Sequence, residues 1–70
     1  PGIIAVLNNM GDLFHSRGDY DQALPLFEEV LAVRRAALPP DHPDVIIALN
    51  NVEAVRRKLE GMQVRYEAQP

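Results

Sequence analysis

No cysteine occurs in the chain, so a disulfide framework, a thiolate zinc site and a cysteine nucleophile are all excluded. Tryptophan is absent too, and aromatic residues make up only 6% of the sequence, too few for a platform that stacks bases. Long apolar runs are missing. The longest, Ile3 to Leu7 and Val45 to Leu49, fall far short of the roughly 20 residues that span a bilayer. No basic excess exists either: seven Lys and Arg face ten Asp and Glu, a net charge of −3. It divides as −2 over residues 1–35 and −1 over residues 36–70, without the concentrated basic face that nucleic acid requires. No glycine-rich phosphate loop and no signal-peptide layout is present. The chain opens on Pro1 rather than Met, which reads as a fragment or a processed product. Seventy residues allow one small domain near the lower size limit for independent folding.

What the sequence does hold is a repetition. Residues 1–9, Pro-Gly-Ile-Ile-Ala-Val-Leu-Asn-Asn, lie over residues 43–51, Pro-Asp-Val-Ile-Ile-Ala-Leu-Asn-Asn, at a constant offset of 42 (49 − 7) with five of nine positions identical. The apolar register continues with Met10 over Val52 and Leu13 over Val55, then decays where Phe14 meets Arg56 and Gly18 meets Glu60. One full unit and the start of a second are therefore expected.

Periodicity gives the elements. Ile3, Val6, Leu7, Met10, Leu13 and Phe14 recur at the three- and four-residue spacing of an amphipathic helix over about 3–17. Gly18 is placed to end it in a left-handed turn, and Asp19 with Gln22 reads as a capping box. A second helix is expected over 20–38, with Tyr20, Ala23, Leu24, Phe27, Val30 and Leu31 inward, Val33 left open as a further member, and Glu28 and Glu29 toward water. Pro25 should bend its first turns without breaking it. The stiff connector Pro39-Pro40-Asp41-His42-Pro43 follows, with Asp41 and Asp44 as a further capping pair. A third helix is expected over 43–60, carrying Val45, Ala48, Leu49, Val52, Val55 and Leu59 on one stripe, and residues 61–70 as a degenerate or frayed tail, with Met62-Gln63-Val64-Arg65-Tyr66 left open as either a prolongation of the helix or a frayed end.

Leu7-Asn8-Asn9-Met10-Gly11, Leu13-Phe14, Gly18-Asp19-Tyr20, Gln22-Ala23-Leu24-Pro25-Leu26-Phe27 and Asp41-His42-Pro43-Asp44-Val45 together resemble the tetratricopeptide repeat. The 42-residue period is similar to the longer variant found in kinesin light chains and many bacterial scaffold proteins. The resemblance implies an all-α helix-turn-helix fold of about one and a half repeats, with 3–38 as the full hairpin and 43–60 as the first helix of the next unit. Gly11 and Ala23 are small where paired helices approach, and Phe14, Tyr20 and Phe27 fill the space between. Arg56 departs from the pattern, which expects an aromatic there.

The resemblance further implies a non-enzymatic protein-interaction module with no cofactor, holding a peptide or partner protein in a concave groove. Carried over onto this sequence, the groove is lined by Ala5, Asn8, Asn9, Asp12 and His15, with Asn50, Asn51, Arg57 and Lys58 from the next unit. An asparagine amide both donates and accepts, so it can pair with any peptide backbone. Arg57 and Lys58 favour an acidic ligand, Asp12 a basic one. The plainer reading gives these asparagines bonds to neighbouring segments and the charges to a solvated face. His15 and His42 lack the close ligand spacing of a metal helix.

His42-Pro43-Asp44 also matches the tripeptide of J-domain co-chaperones, but there it follows a basic, Tyr-rich helix, whereas here Leu38-Pro39-Pro40-Asp41 precedes it and an apolar helix follows. Because Ile3, Ile4 and Val6 lack a preceding unit, the chain is expected to self-associate, as a homo-oligomer or by exchange of its third helix, or to sit in a longer array. Neither nucleic acid nor membrane is expected as a partner, and the absence of cysteine and targeting signals leans toward the cytoplasm.

Overall fold

Gly18 sets the geometry of the first hairpin. The computed structural model describes residues 2–67, with side-chain surroundings for residues 2–62. Helix α1 (Ile3–Ser16) ends as Gly18 takes φ +83°, a left-handed conformation that only glycine adopts without cost. The Gly18 N–H then donates to the His15 carbonyl at 3.1 Å and the Asp19 N–H to the Phe14 carbonyl at 2.9 Å. This is the paired closure of a Schellman motif. The reversal is complete within Arg17 to Asp19, so α2 (Tyr20–Ala37) folds back against α1. Leu38 to His42 then leads into α3 (Pro43–Glu67), which also packs against α2. The architecture is all-α among the described residues.

Two caps differ from the capping pairs expected. Asp19 stands at the start of α2 with ψ 64°, outside the extended region, and its side chain makes no capping bond. Its carboxylate turns to Arg17 at 3.6 Å, while the Asp21 carboxylate accepts from the Gln22 N–H at 3.1 Å. At α3 the cap is not Asp41 but His42, whose Nδ1 accepts from the Asp44 N–H at 3.0 Å. Accepting there needs a lone pair on Nδ1, which puts the proton of the neutral ring on Nε2. Such an N-cap bond is worth about 1 kcal/mol, and Pro43 follows at the first helical position, where its missing N–H costs nothing. Pro25 lies within α2 without interrupting it.

The core is a single seam. From α2, Ala23, Phe27, Val30 and Leu31 are buried, and from α3, Val45, Ala48, Val52 and Val55; Ile4, Leu7 and Phe14 of α1 pack against them. Helix α1 contributes one buried residue, Gly11, which lies against the Phe27 ring. Two ion pairs tie α2 to α3: Arg34 to Asp44 at 3.2 Å and Arg56 to Glu28 at 3.0 Å. Glu28 therefore does not face water alone as expected, and Arg56, standing where the repeat pattern has an aromatic, reaches across to it. Each pair is partly exposed and contributes at most about 1 kcal/mol.

The third helix runs to Glu67, beyond the end expected at 60. Gly61 stays in the helix without the left-handed turn of Gly18, because no cap-forming sequence follows it. The expectation for residues 68–70 and for the Tyr66 side chain lies outside the described residues.

Candidate functional site

The short connector brings the last turn of α2 beside the first turn of α3. Arg34 sits in the former and Asp44 in the latter, each at the helix end whose dipole favours its charge. Next to this pair is a shallow cleft of about 110 Å³, room for one side chain or a few waters. Val30 and Ala48 form its apolar floor, being 2% and 3% exposed. Asn8 of α1 and Asn51 of α3 stand at its sides with Ile47, and both asparagines are half-buried. Two amides, one cation and one anion thus border an apolar floor. Such a border can pair with a peptide backbone in either sense and hold a small side chain between.

Sequence register pairs Asn8 with Asn50, but the helices bring Asn8 together with Asn51. Asn9 and Asn50 are exposed and lie outside the cleft walls. Ala5, Asp12, Arg57 and Lys58 are exposed on α1 and α3 and do not line the cleft either. His15 is half-buried and edge-on to Tyr20, ring centroids 5.3 Å apart at 61°, so its ring packs across the α1–α2 turn. Arg34 and Asp44 are the site residues that the sequence reading did not single out. The usable signal was a basic last turn and an acidic first turn joined by a connector too short to separate them.

A second groove, of about 260 Å³, opens on the other flank of the α2–α3 seam between Leu31, Leu49 and Val52, and the Glu28–Arg56 pair borders it. His42-Pro43-Asp44, the tripeptide shared with J-domains, is the N-terminal cap of α3. No polar or charged side chain is buried among the described residues. No helix among them is long and apolar enough to cross a membrane.

A family profile described as the tetratricopeptide repeat matches residues 3–44, which is α1, the glycine turn, α2 and the connector. The chain belongs to this family. Tetratricopeptide repeats are generally protein–protein interaction modules and typically non-catalytic scaffolds. Neither a curated protein nor a solved structure matches the chain. The matched stretch ends at Asp44, in the first turn of α3. Within the tetratricopeptide hairpin the close approach of Gly11 to Phe27 and the left-handed Gly18 explain why those residue types stand where they do.

Proposed function

We propose that the chain holds an extended peptide segment of a partner protein across the α1–α3 side, gripped by the amides of Asn8 and Asn51. The observation that supports this is their meeting at one cleft with an apolar floor, although they come from different repeats. Arg34 and Asp44, at the end of the cleft, supply preference for charge: a ligand carboxylate competes with Asp44 for the guanidinium, and a ligand ammonium competes with Arg34. Selecting peptides from a random display library against the chain, then measuring their affinity for variants, tests the reading. Asn8→Ala with Asn51→Ala removes two hydrogen-bonding amides and is expected to weaken binding by about 10-fold to 100-fold, at roughly 0.5–1.5 kcal/mol per bond. Asn9→Ala with Asn50→Ala, outside the cleft, is the matched control and should change little. Equal loss in both double variants, or no selected peptide at all, rejects the groove.

A second reading, a structural unit whose contacts are with itself or with adjacent repeats, is favoured by a different observation. Ile3, Val6, Met10 and Leu13 of α1 are 44–67% exposed. Light scattering over rising concentration is expected to show association above the 7.8 kDa monomer, suppressed by Val6→Glu.

A further inference from the structure

Asp44 meets the His42 ring with two groups of opposite character. Its backbone N–H donates to His42 Nδ1 at 3.0 Å, while its carboxylate Oδ2 lies 3.2 Å from Arg34 Nη1 and 3.9 Å from the same His42 Nδ1. One ring nitrogen therefore faces a donor and an anion of a single residue. While Nδ1 keeps its lone pair it can only accept, so it takes the N–H and caps α3, and the carboxylate is left to the guanidinium. A proton on Nδ1 turns that acceptor into a donor. The N–H then loses its partner, and the carboxylate becomes the acceptor that suits the charged ring.

The surroundings permit the exchange. The backbone of His42 is held without the ring: its N–H donates to the Pro39 carbonyl at 3.0 Å, and its carbonyl accepts from the Val45 and Ile46 N–H groups at 3.0 and 3.1 Å. Protonation thus changes the partner of the ring and leaves the path of the connector alone. The His42 and Asp44 side chains are 36% and 49% exposed and that of Arg34 26%, so a proton can arrive from solvent and the carboxylate can turn. Arg34, the more enclosed, stays beside the cleft it lines. The charged groups around the ring are Asp44 of α3 and Arg34 of α2, with Asp41 exposed in the connector just before it. Helix α1 carries its titratable side chains, Asp12 and His15, in its last turns beside the glycine turn, at the far end of the hairpin. Between about pH 5 and 8, histidine is the one side-chain type among Arg, Asp and His that ordinarily changes charge.

We propose that His42 is a proton-operated latch on the α2–α3 connector: neutral, it caps α3 and leaves Asp44 to Arg34; protonated at Nδ1, it takes the Asp44 carboxylate and releases the Arg34 guanidinium to the cleft. Closing the 3.9 Å gap to the roughly 2.8 Å of a charge-assisted hydrogen bond draws Oδ2 toward the connector and off α2. What the freed guanidinium then holds, a carboxylate of an extended peptide, rests on the groove proposed above. Acidification tilts that cleft toward acidic ligands.

Thermal melts of the 70-residue chain at pH 7.5 and pH 5.5 test the latch, with Arg34→Gln reporting what the guanidinium contributes. At pH 7.5 this substitution is expected to lower the midpoint by up to about 8 °C, the ceiling for a partly exposed ion pair at this length, and at pH 5.5 by no more than about half as much. His42→Asn keeps an N-cap acceptor that does not titrate. In that background Arg34→Gln should cost the same at both pH values. Asp44→Asn removes the carboxylate that is exchanged, so there the cost should be small and independent of pH. This background separates exchange from plain repulsion between two cations, which would survive the loss of Asp44. His15 is present throughout and cannot produce a difference that His42→Asn abolishes. An Arg34→Gln cost equal at the two pH values in the parent chain, or a pH-dependent cost that persists in either background, overturns the proposal. No peptide enters these melts, so their failure rejects the latch and leaves the groove to its own selection experiment.

Discussion

Replacing Gly11 with alanine is expected to destabilise the chain by up to about 2 kcal/mol, against the usual direction of a glycine-to-alanine change inside a helix. Propensity alone favours alanine there by about 1 kcal/mol. The added Cβ, however, would sit 2.7 Å from Phe27 Cε1 and 3.0 Å from both Cδ1 and Cζ. The ring is 3% exposed, so the ring or the helices must shift to make room, and overpacking of this kind costs about 1–3 kcal/mol. At this chain length the melting midpoint should drop by up to roughly 15 °C. Gly61→Ala supplies the control. It lies within α3, and a Cβ there meets nothing within 4 Å, so the same chemical change should stabilise by up to about 1 kcal/mol. Phe27→Leu should relieve the clash: in its presence Gly11→Ala costs less than in the parent chain. A parent chain less stable than its Gly11→Ala variant would mean that α1 and α2 are not in the contact described.

Much of this contact was legible in the sequence because small residues and aromatics alternate at helical spacing. The ends of α1 and α2 fell within a residue of expectation, 3–17 against Ile3–Ser16 and 20–38 against Tyr20–Ala37, since Gly18 and the proline connector punctuate the chain independently of tertiary structure. The caps were read less well. Spacing shows that Asp19 and Asp41 have acceptors in range, but the backbone angle at Asp19 and the nearness of the His42 ring decide which acceptor is used, and neither is written in residue order. Whether α3 continues past Gly61 was left open by residue order, because a glycine stops a helix only when its conformation turns left-handed, as at Gly18 and not at Gly61.

The site divides the same way. Asn8 and Asn51 were visible through the repeated Leu-Asn-Asn triplets, yet their pairing across one register step depends on how α1 and α3 lean on α2. Arg34 and Asp44 were not visible as residues of one cleft, because two helix ends have to meet for both to line it. His15 was placed on the groove face by the resemblance alone, and its contact with Tyr20 is made across the hairpin turn. Local chemistry survives translation from sequence to structure; adjacency between elements has to be supplied by packing.

Leu13 and Val55 put that distinction to its hardest test, since they are the same position of the repeat, 42 residues apart, with opposite surroundings. Val55 is 0% exposed and Leu13 is 54% exposed. Val55→Asp places a carboxylate beneath α2 on a side chain too short to reach water. The desolvation of an unpaired buried charge amounts to several kcal/mol, comparable with the whole stability of about 4–10 kcal/mol for a chain of this size. Far-ultraviolet circular dichroism is therefore expected to show a largely unfolded chain at 25 °C. Leu13→Asp should lose no more than about 1 kcal/mol, from weaker helix propensity and a carboxylate near the C-terminal end of α1. The contrast decides whether the open stripe is open in solution. Were Leu13→Asp as damaging as Val55→Asp, the stripe of α1 would already be covered in the free chain, by a second copy.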